Sequence, residues 1–128
     1  MELRHWTALL RVMSLMVLAD SRVREEEIRV FVFRMKALRD RLGRDLMFSE
    51  GLVRDWFGAH RDELSEALEA DADAAVTTAL APLDDFPHPQ KLVDALNAVA
   101  KADGERHPTE VRMIACAAER WGTKIPRK

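Results

Sequence analysis

Apolar side chains recur at three- and four-residue steps along most of the chain, a spacing that predicts helices rather than strands. From Leu3 to Ala19 the positions Leu3, Trp6, Leu9, Leu10, Met13, Met16 and Val17 build one broad apolar face. A second helix is predicted from about Arg24 to Leu42, with Ile28, Phe31, Val32, Met35, Leu38 and Leu42 on one side. Gly43 follows directly, where a helix end often takes a positive φ. Val30 to Phe33 alone would suit a strand core, but the helical frame around those residues is longer and outweighs them.

The middle of the chain predicts three short helices. Ser49 and Glu50 open the first, which holds Leu52, Val53, Trp56 and Phe57 and is weakened at Gly58. Leu64 and Leu68 mark a second beginning near Asp62, and the alanine-rich stretch from Asp71 to Ala81, with Val76 and Leu80, marks a third. Pro82, Pro87 and Pro89 then predict a loop from Pro82 to His88. Leu92, Val93, Leu96, Val99 and Ala100 indicate a helix ending near Ala102, followed by a turn at Asp103-Gly104. Pro108 suits the first position of a last helix, which carries Val111, Ile114, Ala115, Ala118 and Trp121 and closes at Gly122. The expectation is an all-α bundle of about seven helices forming a single domain over residues 1–128.

Composition agrees with this and narrows the function. Ala and Leu supply 33 residues against 13 for Val and Ile, and there is no Tyr, a balance that favours helix. Twenty basic and 22 acidic residues leave a formal charge of −2, without the basic excess that a nucleic-acid partner calls for. The longest apolar uncharged run, Val12 to Ala19, is far shorter than the roughly 20 residues needed to span a bilayer. With no secretory pattern after Met1, a cytoplasmic location without direct membrane insertion is expected. A lone Cys116 forms no internal disulfide and excludes a Cys-rich zinc fold.

The two ends of the chain repeat one theme. Placing Ala19 on Ala102, an offset of 83, sets Asp20 on Asp103, Glu27 on Glu110, Ile28 on Val111, Arg29 on Arg112 and Met16 on Val99. Each copy (about 3–43 and 90–122) is an apolar helix, an Ala-Asp turn, and an acidic residue seven positions later that opens another apolar helix. Ile28 to Gly43 spans 15 positions and Val111 to Gly122 spans 11, a difference close to one helical turn that preserves the buried face.

The segment Ala-Asp-Gly-Glu-Arg-His-Pro-Thr-Glu-Val at 102–111, after an apolar helix and before Trp121-Gly122, resembles the second half of a TerB-like domain (tellurite-resistance, TerB or DjlA N-terminal type). Ala19-Asp20-Ser21 through Glu27-Ile28 resembles the first half. The resemblance spans essentially the whole chain, with its specific residues in the two turn regions. It implies an all-helical domain with pseudo-two-fold symmetry and acidic residues from both halves gathered at one cation-binding site. It also implies a role in tellurite or stress response and no catalytic reaction.

If the helix pairs pack around such an axis, Asp20, Glu27, Asp103 and Glu110 converge. Two carboxylates about 4 Å apart repel by roughly 4 kcal/mol at an effective dielectric of 20, so four together need a counter-cation or protons. Oxygen ligands suit Ca²⁺ or Mg²⁺ better than Zn²⁺, and no organic cofactor is expected. Glu105 or His107 would extend the set, His107 shifting the preference toward a transition metal. The turn is too short for an EF-hand loop of about 12 residues. Helix-end chemistry offers another account: with Arg24 and His107 as N-caps, Glu27 and Glu110 stand third in their helices, where glutamate favours the helix dipole and accepts from the N-cap amide. Neither N-cap is the Ser or Thr of a full capping box. Ser21 and Arg22 stand in the first copy where the second has Gly104 and Glu105, and Arg24 and Arg106 are placed to neutralise the acids by salt bridges. The alternative is therefore a protein-interaction module or homodimer with a salt-bridged cluster and no metal.

Other candidate chemistry has simple expected roles. Cys116 is expected in the core, and His5, His60 and His88 at the surface or in caps. Trp6, Trp56 and Trp121 are expected in the core or at the edge of a groove. Arg34, Lys36, Arg39, Arg41 and Arg44 give the second helix a solvated basic face suited to an acidic protein partner. No phosphate loop, Ser-His-Asp arrangement or His-Glu-x-x-His run is present, so the expectation is not an enzyme.

Overall fold

In helix α1 (Leu3–Leu18) every residue from Val12 to Leu18 is buried, more than the single apolar face that the spacing predicts. A helix apolar on all sides must be covered on all sides. Helix α2 (Glu25–Leu42), α3 (Glu50–Leu80), α4 (Pro89–Ala100) and a single 3-10 turn (Ala81–Leu83) pack around it. Helix α5 (Pro108–Trp121) lies on α4 and α3. The computed structural model describes residues 3–19, 24–42, 49–102 and 107–124, and among these all regular structure is helical.

Among the described residues there are five α-helices where about seven are expected, and the difference lies in the middle of the chain. The two predicted short helices from Ser49 and Asp62 are one, because Val53, Phe57 and Leu64 keep a single buried phase through Gly58. Gly58 costs a helix interior about 1 kcal/mol relative to Ala, too little to end one held by packing. Ser49 starts α3 as predicted, its hydroxyl accepting from the Leu52 amide at 3.0 Å. The chain then breaks helical geometry at Asp71 (φ −166°, ψ 96°), where the predicted alanine-rich helix begins. Asp71 Oδ1 accepts from the Ala74 amide at 3.1 Å, so this residue caps the second half of α3 across a kink. The expected loop after Leu80 starts as the 3-10 turn, with Pro82 in its first turn. Gly122 ends α5 at φ +65°, the left-handed conformation that glycine adopts without a Cβ penalty. The corresponding role for Gly43 lies outside the described residues.

Phe31 of α2 meets Phe57 of α3 edge-to-face with ring centroids 6.1 Å apart, joining these helices in the core. Some positions 83 apart are buried in both copies (Leu9 and Leu92, Met13 and Leu96, Met16 and Val99 on α1 and α4, Phe31 and Ile114 on α2 and α5), whereas Val32 is buried and Ala115 exposed, and Ile28 is half-buried and Val111 exposed. The polar pair at the same offset, Ser14 and Asn97, is buried as well.

Adjacent aspartates fix the segment between the 3-10 turn and α4. Asp84 accepts from Arg120 Nε and Nη2 at 2.6 and 2.7 Å and from Trp121 Nε1 at 3.2 Å, tying it to the end of α5. Asp85 accepts from Arg4 and, at 2.8 Å, pairs with His5 Nε2, tying it to the start of α1. His5, expected at the surface, is buried with its ring edge-on to Phe86, because Asp85 satisfies its polar end. Trp6, Trp56 and Trp121 are half-buried against the core, and His60 stacks on Trp56. Cys116, expected in the core, is exposed: α5 turns Met113, Ile114, Ala117 and Ala118 inward and leaves position 116 on its outer face. Among the described residues no helix is long and apolar enough to cross a membrane.

Candidate functional site

The two repeat-matched glutamates are described and fully buried, Glu27 with 0 % and Glu110 with 1 % of its surface exposed. Each is third in its helix. Glu27 Oε1 accepts the Arg24 amide at 3.3 Å, and Glu110 Oε1 accepts the His107 amide at 2.8 Å. On α5 the bonding is reciprocal, since His107 Nδ1 accepts from the Thr109 amide at 3.4 Å. His107 thus supplies the cap that Ser or Thr usually provides, and a nitrogen engaged this way is not offered to a metal. Both glutamates make further interactions within the fold.

Asp20 and Asp103, with Glu105, Arg22 and Arg106, lie outside the described residues, and their flanks can be located. Ala19, next to Asp20, and Thr109, next to Glu110, line one cavity of about 350 Å³. Arg61, Ser65, Leu68, Glu69 and Ala72 of α3 form its other wall, with Leu18 beside Ala19. The sequence reading overlooked this contribution, although Arg61, Ser65, Leu68 and Ala72 at four- and three-residue steps already share one helical face. Among the described residues no three His, Cys, Asp or Glu side chains are grouped to hold a metal ion. The carboxylates of Glu27 and Glu110 are the donor type that a hard cation takes, so they fit one in kind.

Several other charged residues form ion pairs. Arg54 of α3 bridges Glu25 and Glu50 at 2.7 Å each, which pushes the Arg54 pKa up and holds the Glu25 carboxyl below its usual range. Arg112 of α5 donates through Nη2 to both carboxylate oxygens of Asp73, at 2.9 and 2.8 Å. Arg120 lowers Asp84, and hydrogen bonds from His5 and then Arg4 lower the Asp85 carboxyl to about 2.

Comparison of the chain with family models, curated proteins and solved structures finds no match.

Proposed function

We propose that this chain is a non-catalytic TerB-like module of the stress-response (tellurite-resistance) type, built from two related helix pairs. In this reading its acidic end, Asp20, Glu27, Asp103 and Glu110, binds a divalent cation, Ca²⁺ or Mg²⁺ in preference to Zn²⁺. The observation that carries it is the full burial of Glu27 and Glu110 at matched positions. Taking a carboxylate out of water costs several kcal/mol unless nearby positive charge offsets it. In this reading a cation shared between the two turns adds to the interactions that both glutamates already make within the fold. The common cavity wall of Ala19 and Thr109 supports the required nearness of the turns. Glu27 and Glu110 would hold the ion from the helix side and Asp20 and Asp103 from the turns.

A second reading rests on the caps themselves. Amide bonds to both glutamates account for their positions without any metal, which favours a protein-interaction module or homodimer whose acids are paired with arginines. Calorimetric titration of chelator-treated protein with Ca²⁺, Mg²⁺, Mn²⁺ and Zn²⁺ separates the two. Micromolar uptake of one ion, lost in the Glu27→Gln/Glu110→Gln double variant, supports the cation site. No ion-dependent heat, together with thermal unfolding indifferent to metal, leaves the interaction module.

A further inference from the structure

Phe33 is 66 % exposed although Phe31, Val32 and Met35 around it are buried, and with Leu52 and Val111 it is one of three large apolar side chains left in solvent among the described residues. It stands at the edge of a groove of about 380 Å³ between α2 and the first turns of α3. Val32 and Phe33 supply its apolar surface, Arg29 and Lys36 flank them on α2, and Glu50 and Arg54 close the α3 side. The local carboxylates are already committed, Glu25 and Glu50 each lying 2.7 Å from Arg54. Arg29 reaches Glu25 only at 3.7 Å, and Lys36 has no ion-pair partner among the described residues. The groove therefore presents an apolar notch between two cations whose charge is only weakly offset.

We propose that this groove docks an acidic peptide segment of a protein partner, an interaction independent of whether the turns take up a cation. One large apolar side chain enters against Val32 and Phe33, and a carboxylate on either side meets Arg29 and Lys36. Arg29 and Lys36 are seven positions apart on the helix, which separates them by roughly 10 Å along the axis. An extended chain covers that distance in about three residues, so the ligand carries two acids about three positions apart with the apolar residue between them. Charge complementarity selects such a partner and adds a salt-sensitive association rate. A lipid surface fits less well, because a flat bilayer does not fill a concave notch.

The test titrates the full chain into fluorescein-labelled eight-residue peptides bearing one Leu or Phe between Asp and Glu residues, read by polarisation and by amide chemical shifts. Saturable binding tighter than about 100 μM is expected, with shifts confined to residues 29–36 and 50–54. Phe33→Ala and Lys36→Glu, both at exposed positions and checked for folding by circular dichroism, should each weaken binding by about tenfold or more. Peptides with Asn and Gln in place of the acids should not bind. No binding by any acidic peptide, or binding indifferent to both substitutions, overturns the proposal. Phe33-dependent sedimentation with phosphatidylserine vesicles instead would assign the groove to lipid. A Phe33-dependent dimer in analytical ultracentrifugation would assign it to a second copy of the chain.

Discussion

Glu27 and Glu110, 83 positions apart, hold the same place in their helices: each is buried and each accepts, through Oε1, the backbone amide of the residue three before it. Glutamine reproduces that bond and alanine does not. Glu110→Ala is therefore expected to be less stable than Glu110→Gln by about 1 kcal/mol, because the half-buried bond to the amide of the exposed His107 is lost. Urea unfolding of the two variants in chelator measures the difference. Equal stabilities would show that the cap contributes nothing and that burial of this side chain has another cause.

The kink in α3 makes a separate prediction. Asp71 interrupts the helix in extended geometry and caps the alanine-rich half through the Ala74 amide. Asp71→Ala should cost about 1 kcal/mol, and Asp71→Asn only a few tenths, since asparagine caps equally well. A stability gain in the alanine variant would mean that a continuous helix suits this packing better, and thermal melts of the pair decide it.

The helical class and most helix ends were legible because capping residues and spacing act locally. Ser49, Pro108 and Gly122 mark ends where the structure has them. Gly58 misled because its cost is small beside the burial of Phe57 and Leu64 on either side. His5 and Cys116 misled for a different reason: their environments are set by residues distant in sequence. Asp85 makes burial of His5 tolerable, and the packing of α5 on α4 decides which of its faces carries Cys116. For the candidate site, the third-position roles of Glu27 and Glu110 were readable from Arg24 and His107, but their complete burial was not. Periodicity gives the face of a helix and does not say how deeply its first turn is covered.

Asp85 should govern part of the acid limb of stability. Its carboxyl is lowered to about 2 by the hydrogen bonds from His5 and Arg4, against about 3.9 in an unfolded chain. The ionised form is thus favoured in the fold, so its contribution is fully present above about pH 4 and is lost as pH falls toward 2. Asp84 and Glu25 are lowered as well, so the measurement that isolates Asp85 is the difference between wild type and Asp85→Asn. That difference should be constant above about pH 4, shrink between about 4 and 2, and fall with added salt because the pair is exposed. A difference unchanged down to pH 2 would mean that ionisation of the Asp85 carboxyl contributes nothing to stability.

The outward orientation of α5 at position 116 can be tested chemically. Thiolates react with aromatic disulfide reagents at rates set by exposure and by pKa. In the native chain Cys116 should therefore release one equivalent of chromophore without denaturant, within about tenfold of the rate in guanidinium. Its replacement by serine should change stability by no more than about 0.5 kcal/mol, as at other exposed positions, whereas a core thiol exchanged for a hydroxyl would cost more. Native-state labelling that proceeds only as fast as global unfolding would mean that α5 is rotated from the face described, and Met113 and Ile114 would then have to leave the core.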